Sequence, residues 1–228
     1  MKKNLEDKEF YFDKNESRHI IKVLRKKVGD KLHITNGLGY LFEAIILTDN
    51  PNKCTVSITT SNSIASKGYS VHLAVAPTKT NNRYEWFLEK ATEIGVDFIT
   101  PIICKRSERK TIKLERYRKI IEAASKQSLH THFPILNPAV RFEEFLKTKT
   151  EEDRYIAHCL DEEQPHLKNK IRSKKNILIL IGPEGDFTAA EIKMALDSGF
   201  QAVSLGRARL RTETAAIAAC HIIELHNA

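Results

Sequence analysis

The sequence predicts an α/β protein in two parts: a small antiparallel β-sheet or barrel with one helix, then a larger domain on a largely parallel sheet. Three observations predict it. Over residues 9–60, apolar and polar side chains alternate in short runs divided by turn formers, as antiparallel strands with one wet face do. From Tyr69 onward, short apolar runs alternate with segments of helical spacing, the mark of parallel strands joined by helical crossovers. The chain has 228 residues, 41% of them apolar, enough for one large core or two smaller ones and too apolar for a disordered chain.

In the first part the strands come from Leu32/Ile34, Phe42/Ala44/Ile46 and Val56/Ile58. They are separated by Asn36-Gly37-Leu38-Gly39 and Asp49-Asn50-Pro51-Asn52, residues that enter turns readily. Residues 61–68 (Ser-Asn-Ser-Ile-Ala-Ser-Lys-Gly) are small and polar, the composition of a linker, which sets domains at 1–68 and 69–228. In the second part strands are expected at 71–76, 98–103, 155–159, 177–181 and 202–205. Phe87/Ala91/Ile94 and Leu114/Tyr117/Ile121/Ala124 recur at three- and four-residue intervals and predict helices between them. Gly95 stands where a helix C-cap belongs, and Thr188 with Glu191 makes a capping-box pattern opening a helix that Gly199 closes.

Lys and Arg number 37 against 29 Asp and Glu, a formal net charge of +8. The excess is uneven: residues 1–70 hold 12 basic and 8 acidic side chains, 71–150 hold 15 and 9, and 151–228 hold 10 and 12. A basic first two-thirds fits a polyanion partner such as nucleic acid, or a well-solvated surface. No run approaches the roughly 20 apolar residues of a membrane helix. The charged start, Met1-Lys2-Lys3-Asn4-Leu5-Glu6-Asp7, lacks the apolar segment of a secretory signal, so a cytoplasmic protein is expected. Cys54, Cys104, Cys159 and Cys220 form no CxxC pair, and His130, His132, His158, His166 and His221 show no metal-ligand spacing. Four inert, half-buried thiols and no metal are expected. The absence of GxSxG and GxxxxGK[ST] argues against a nucleophile-elbow hydrolase and a phosphate-loop nucleotidase.

Ligands of open parallel sheets bind beyond the carboxyl ends of the strands, so the loops there carry the candidate chemistry. After 177–181 comes Gly182-Pro183-Glu184-Gly185-Asp186-Phe187, whose glycines permit close backbone approach to a ligand and whose Glu184 sits near a helix start. The alternative is a plain βα turn with a dipole-matched acid. After 202–205 comes Gly206-Arg207-Ala208-Arg209-Leu210-Arg211-Thr212-Glu213-Thr214-Ala215-Ala216, with arginines suited to an anion or a base. The alternative there is a solvated loop with Arg211 paired to Glu213. From Lys105 to Lys126 nine basic residues face three acidic ones, an imbalance that favours phosphate contact over a merely solvated helix. Arg18, Lys22, Arg25, Lys26 and Lys27 form a second basic cluster around a short helix.

Five motifs in order resemble a known family: Arg18-His19 with Val23-Leu24-Arg25-Lys26-Lys27-Val28-Gly29-Asp30, Glu89-Lys90-Ala91-Thr92-Glu93-Ile94-Gly95-Val96, Gly182-Pro183-Glu184-Gly185, Leu205-Gly206, and Leu210-Arg211-Thr212-Glu213-Thr214-Ala215. The family is RsmE, the 16S ribosomal RNA (uracil-N3) methyltransferases of the SPOUT superfamily, and the likeness covers nearly the whole chain. It implies a PUA-like RNA-binding barrel, then a SPOUT α/β domain with a deep C-terminal trefoil knot. It also implies a homodimer packed through the knot, no metal, and S-adenosylmethionine as cofactor.

By this resemblance the cofactor is held by His158, Cys159 and Leu160, by Ile181, Gly182, Pro183, Glu184 and Gly185, and by Leu205, Gly206, Arg209, Leu210, Arg211, Thr212, Glu213 and Thr214. The resemblance implies a uridine of 16S rRNA in the small ribosomal subunit as the substrate. Arg211, then Arg209, would stabilise the uracil anion as N3 attacks the sulfonium methyl, with Glu184 as base, cofactor ligand or helix cap. The expected RNA contacts are Arg18, Lys22, Arg25, Lys26, Lys79, Arg83, Lys105, Arg106, Arg109 and Lys110. Two departures stand out: Asp186 holds a place where the family commonly has glycine, and in the Ala-x-x-Gln-Ser element Lys126 stands before the Gln, where an acid is usual, and His130 shortly after the Ser, where an arginine is usual. The first change reads as minor. A methyltransferase acting on another RNA nucleotide, or a non-catalytic ribosome-assembly factor, would present similar basic surfaces.

Overall fold

The computed structural model describes residues 9–148, 152–159 and 164–228. They form two units, one running through Ser66 and including His130–His132, the other made of Lys67–Leu129 and Phe133–Ala228.

The smaller unit comprises β1 (Glu9–Tyr11), α1 (Lys14–Arg18), a π-helical turn (His19–Val23), β2 (Lys31–Thr35), β3 (Tyr40–Thr48) and β4 (Thr55–Ser63). The strands make one antiparallel sheet in the order β1-β4-β3-β2. The alternating apolar positions supply its core: Leu32, Ala44, Ile46 and Val56 are buried with Ile20 and Cys54. Asp13 starts α1 by accepting from the N–H groups of Asn15 and Glu16. β4 runs on through Ser63, which pairs with Tyr40, so residues 61–63 of the expected linker belong to a strand. Those residues are exposed, and an exposed strand end joined by backbone bonds has a linker's polar composition. The Thr131 carbonyl accepts from the Gly39 N–H at 2.9 Å, and an imidazole nitrogen of His132 lies 2.9 Å from the Ile64 carbonyl oxygen. Residues 130–132 thus complete this unit from a distant part of the chain.

The larger unit contains β5 (Val71–Val75), α2 (Asn81–Ile94), β6 (Phe98–Ile103), α3 (Leu114–Gln127), β7 (Ile135–Leu136), β8 (Val140–Arg141), α4 (Phe142–Phe145), β9 (Asp153–Ala157), β10 (Ile177–Ile181), α5 (Ala189–Asp197), β11 (Gln201–Val203) and α6 (Thr212–Asn227). The sheet is parallel in the order β11-β9-β10-β5-β6-β7, with β8 also pairing β6. β10 lies between β9 and β5 and is buried along its length. Its alternation divides the core: Ile177, Ile179 and Ile181 pack with Phe87 and Ile223 on one face, Leu178 and Leu180 with Phe187 and Ile192 on the other. Gly95 ends α2 at φ 117°, and both reciprocal bonds of the Thr188–Glu191 capping box form at the start of α5.

Two expected strands shift. β9 starts at Asp153 and stops at Ala157, because the parallel register opposes Ile177 to Asp153 and Ile181 to Ala157. An apolar-run reading omits a charged Asp153, yet its carboxylate is buried and ion-paired with Arg172. β11 stops at Val203: Ser204 leaves it, donating its N–H to the Pro165 carbonyl and accepting from the Leu167 N–H. The cysteines also differ from expectation. Cys54, Cys104 and Cys220 are buried and Cys159 is exposed. Among the described residues no helix is long and apolar enough to cross a membrane.

Candidate active site

β9, β10 and β11 end side by side, since Ala157 is level with both Ile181 and Val203. The chain leaving these ends and the first turn of α6 enclose a cavity of about 270 Å3, lined by Ala157, Cys159, Ile181, Gly182, Pro183, Glu184, Asp186, Arg209, Leu210, Arg211, Thr212 and Ala215. Its size is just below the roughly 300–1,000 Å3 usual for small-molecule sites.

Side chains lock these walls together. The Thr212 hydroxyl donates to the Gly182 carbonyl at 2.9 Å, fastening α6 to the loop after β10. Asp186 folds that loop back: its N–H donates to the Pro183 carbonyl at 2.8 Å. Its carboxylate then accepts from the N–H of Cys159 at 2.8 Å and of Phe187 at 2.7 Å, tying the loop after β10 to the one after β9. Asp186 has φ 61°, a left-handed conformation that glycine adopts at little cost and Asp tolerates. The departure that reads as minor in sequence is therefore a cross-link between two walls. The Cys159 thiol has its pKa raised by burial and by the Asp186 charge, against the opposing charge and hydrogen bond of Arg209.

The loop glycines answer to internal packing. A Cβ on Gly182 would lie 3.1 Å from the Phe187 ring, and one on Gly185 would lie 3.4 Å from the Arg106 side chain. At both positions a side chain of the protein stands close to where a Cβ would go, and Gly182 still presents its backbone to the cavity. Glu184 does not cap α5, a task done by Thr188 and Glu191; it accepts from the Lys79 N–H at 2.8 Å.

Arg211 is the residue before α6 and makes no side-chain capping bond. Glu213 pairs with Arg83 at 3.7 Å, in place of the Arg211 that the alternative reading gives it. The other Glu213 carboxylate oxygen is buried with no hydrogen-bond partner among the described residues.

Of the expected cofactor residues, Cys159, Ile181, Gly182, Pro183, Glu184, Arg209, Leu210, Arg211 and Thr212 line the cavity. His158, Gly185, Leu205, Gly206, Glu213 and Thr214 flank those residues in the chain without lining it, and Leu160 lies outside the described residues. Sequence reasoning missed Ala157, Asp186 and Ala215. Ala215 could have been found, since a helix starting at Thr212 puts residue i+3 on the same face; Ala157 needed the strand register.

Among the expected RNA contacts, Arg18, Lys22 and Arg25 are exposed and Lys26 half-buried around the π-helical turn of the smaller unit. In the larger unit Lys105, Arg106 and Lys110 are exposed, but Lys79 pairs with Glu108 at 2.9 Å. On α3, Arg116 pairs with Glu85, Arg118 with Glu115 and Lys126 with Glu122. The positive run is therefore partly neutralised along the helix.

Residues 65–224 match the RNA methyltransferase domain family and residues 12–59 the RNA methyltransferase PUA domain family. The chain is 31% identical to ribosomal RNA small subunit methyltransferase E of Rickettsia conorii, over 91% of this chain and 86% of that protein. A solved structure of a probable rRNA-methyltransferase from Porphyromonas gingivalis is 39% identical with a TM-score of 0.86, covering 94% of this chain and 93% of that one. The structure of ribosomal RNA small subunit methyltransferase E from Neisseria gonorrhoeae, bound to S-adenosyl methionine, is 27% identical with a TM-score of 0.88, covering 99% and 95%.

Proposed function

We propose a function from one premise: this chain belongs to the family of ribosomal RNA small subunit methyltransferase E. It acts as an S-adenosylmethionine-dependent methyltransferase on N3 of a uridine in 16S rRNA of the small ribosomal subunit. The observation that carries this reading is the cavity at the ends of β9, β10 and β11, where apolar walls meet two arginines and two carboxylates.

The cavity fits the cofactor's chemistry. Ala157, Ile181, Leu210 and Ala215 offer apolar surface to the adenine and thioether portions, and Glu184 and Asp186 offer acceptors to hydroxyls and positive charge. The uncapped first turn of α6 offers N–H groups to a carboxylate. When bound there, S-adenosylmethionine supplies a methyl group already activated by its sulfonium. The protein's task is then to position the uracil and manage its N3 proton. Arg211, with Arg209, stabilises the negative charge that develops on the uracil oxygens. Glu184 takes the proton in this reading, supported by its place on the cavity wall, with one carboxylate oxygen accepting from the Lys79 N–H. The target base leaves its stack to reach these groups.

In this reading the smaller unit is a PUA-like barrel that binds RNA through Arg18, Lys22, Arg25 and Lys26, and the α6 end of the larger unit forms a trefoil knot. Two copies pack through the knot region, consistent with the small residues Ala215, Ala216, Ala218 and Ala219 on α6. The enzyme works in the cytoplasm, where its substrate is. The test is Arg211→Ala: transfer to small subunits falls roughly 100-fold, while S-adenosylmethionine affinity by calorimetry stays within about threefold. Equal losses in both would overturn the assignment of Arg211 to the substrate.

A further inference from the structure

We infer that Arg106 and Arg109, in the most basic stretch of the chain, are positioning residues for the cofactor loop and not phosphate contacts. The inference rests on the cofactor reading above. Charge counting assigns this stretch to a polyanion, but both guanidinium groups are turned onto backbone carbonyls. Arg109 donates through Nε to the Thr78 carbonyl at 3.2 Å and through Nη2 to that of Lys79 at 2.7 Å. Arg106 donates through Nη1 to the Gly185 carbonyl at 2.8 Å and reaches that of Phe187 at 3.4 Å. Its stem lies against Gly185, so closely that a Cβ there would sit 3.4 Å from two of its carbons.

These bonds close a ring. The Lys79 residue whose carbonyl Arg109 holds donates its own N–H to Glu184 at 2.8 Å. Glu184 is followed by Gly185, which Arg106 holds, and Arg106 and Arg109 share one loop. That loop is itself anchored: the Cys104 N–H donates to the Ser107 hydroxyl at 2.9 Å and the Lys105 N–H to Glu191 at 2.8 Å. Glu191 is buried, and its other oxygen accepts from the N–H and hydroxyl of Thr188. The segment carrying Pro183 and Glu184, both walls of the cavity, is thus gripped from outside through Arg106 and Arg109. A planar, multi-donor guanidinium suits this fork-like hold, and a lysine ammonium of equal charge does not reproduce it.

The test uses the full chain with Arg106→Ala, Arg109→Ala and the charge-preserving Arg106→Lys and Arg109→Lys. S-adenosylmethionine affinity is measured by calorimetry and binding to small ribosomal subunits as a function of salt. Each alanine variant is expected to weaken S-adenosylmethionine binding roughly tenfold or more, as loss of charge-assisted hydrogen bonds implies. The loss appears in KM for S-adenosylmethionine and is recovered at saturation. The lysine variants stay weak, and they decide the matter should an alanine variant fail to fold. The salt slope stays at the wild-type value, whereas a combined Arg18→Ala/Arg25→Ala variant lowers it by about 1.5, two phosphate contacts' worth. A slope lowered by about one in an Arg106 or Arg109 variant, or wild-type cofactor affinity in the alanine variants, overturns the inference. Wild-type protein that fails to bind S-adenosylmethionine overturns the cofactor reading itself.

Discussion

At Asp186 one side chain does what a glycine in the same backbone conformation could not. Both adopt the left-handed region with ease, but only a carboxylate can accept from the Cys159 and Phe187 N–H groups at once. It thereby places Cys159, the exposed cysteine among four, on the cavity wall. Iodoacetamide should therefore modify Cys159 ahead of the buried Cys54, Cys104 and Cys220. Thiolate is the reactive form, and burial with the nearby Asp186 charge raises this pKa above the ordinary thiol value. Labelling should be slow near neutrality and accelerate as pH rises toward that pKa. Saturating S-adenosylmethionine should slow it at every pH; indifference to the cofactor would remove Cys159 from the binding wall. Legibility in sequence differed sharply between residues. Glu184, Arg209, Arg211 and Thr212 were found because loops after parallel strands converge on one edge of the sheet. Asp186 was seen as a departure but not as a cross-link, because its partner Cys159 is 27 residues away.

For the elements, the sequence was most legible where local chemistry decides. The Gly95 C-cap and the Thr188–Glu191 capping box form as their residues dictate, and the buried β10 lies where its apolar run is. It was least legible where a distant strand decides: β9 includes Asp153 because β10 sets its register, and the two-residue strands β7 and β8 are too short to show a period. Glu191 joins the two kinds of information, since it caps α5 locally and holds the Lys105 N–H from far away. Thr188→Ala should therefore destabilise the fold by about 1 kcal/mol, the ordinary worth of an N-cap. Glu191→Ala should cost more, about 2–3 kcal/mol, by stranding backbone N–H groups that have lost their acceptor. Urea denaturation compares them, and equal effects would mean that the bond to Lys105 contributes nothing.

For the molecule as a whole, composition identified a basic protein in two parts, but the charge count could not separate a cation facing solvent from one bonded inward. The smaller unit keeps Arg18, Lys22 and Arg25 exposed, whereas the larger one pairs Lys79, Arg116 and Lys126 with carboxylates. Nor could a linear reading show that residues 130–132 return to the first unit. The smaller unit carries exposed basic side chains and the larger a cavity walled by apolar, arginine and carboxylate side chains, the equipment that methylation of a large RNA requires. The most direct measurement incubates the purified protein with isotopically labelled S-adenosylmethionine and small ribosomal subunits lacking the modification, then digests the RNA and identifies the labelled nucleosides by mass spectrometry. The account predicts label in 3-methyluridine; label in a different nucleoside, or none from a protein shown to bind the cofactor, would contradict it.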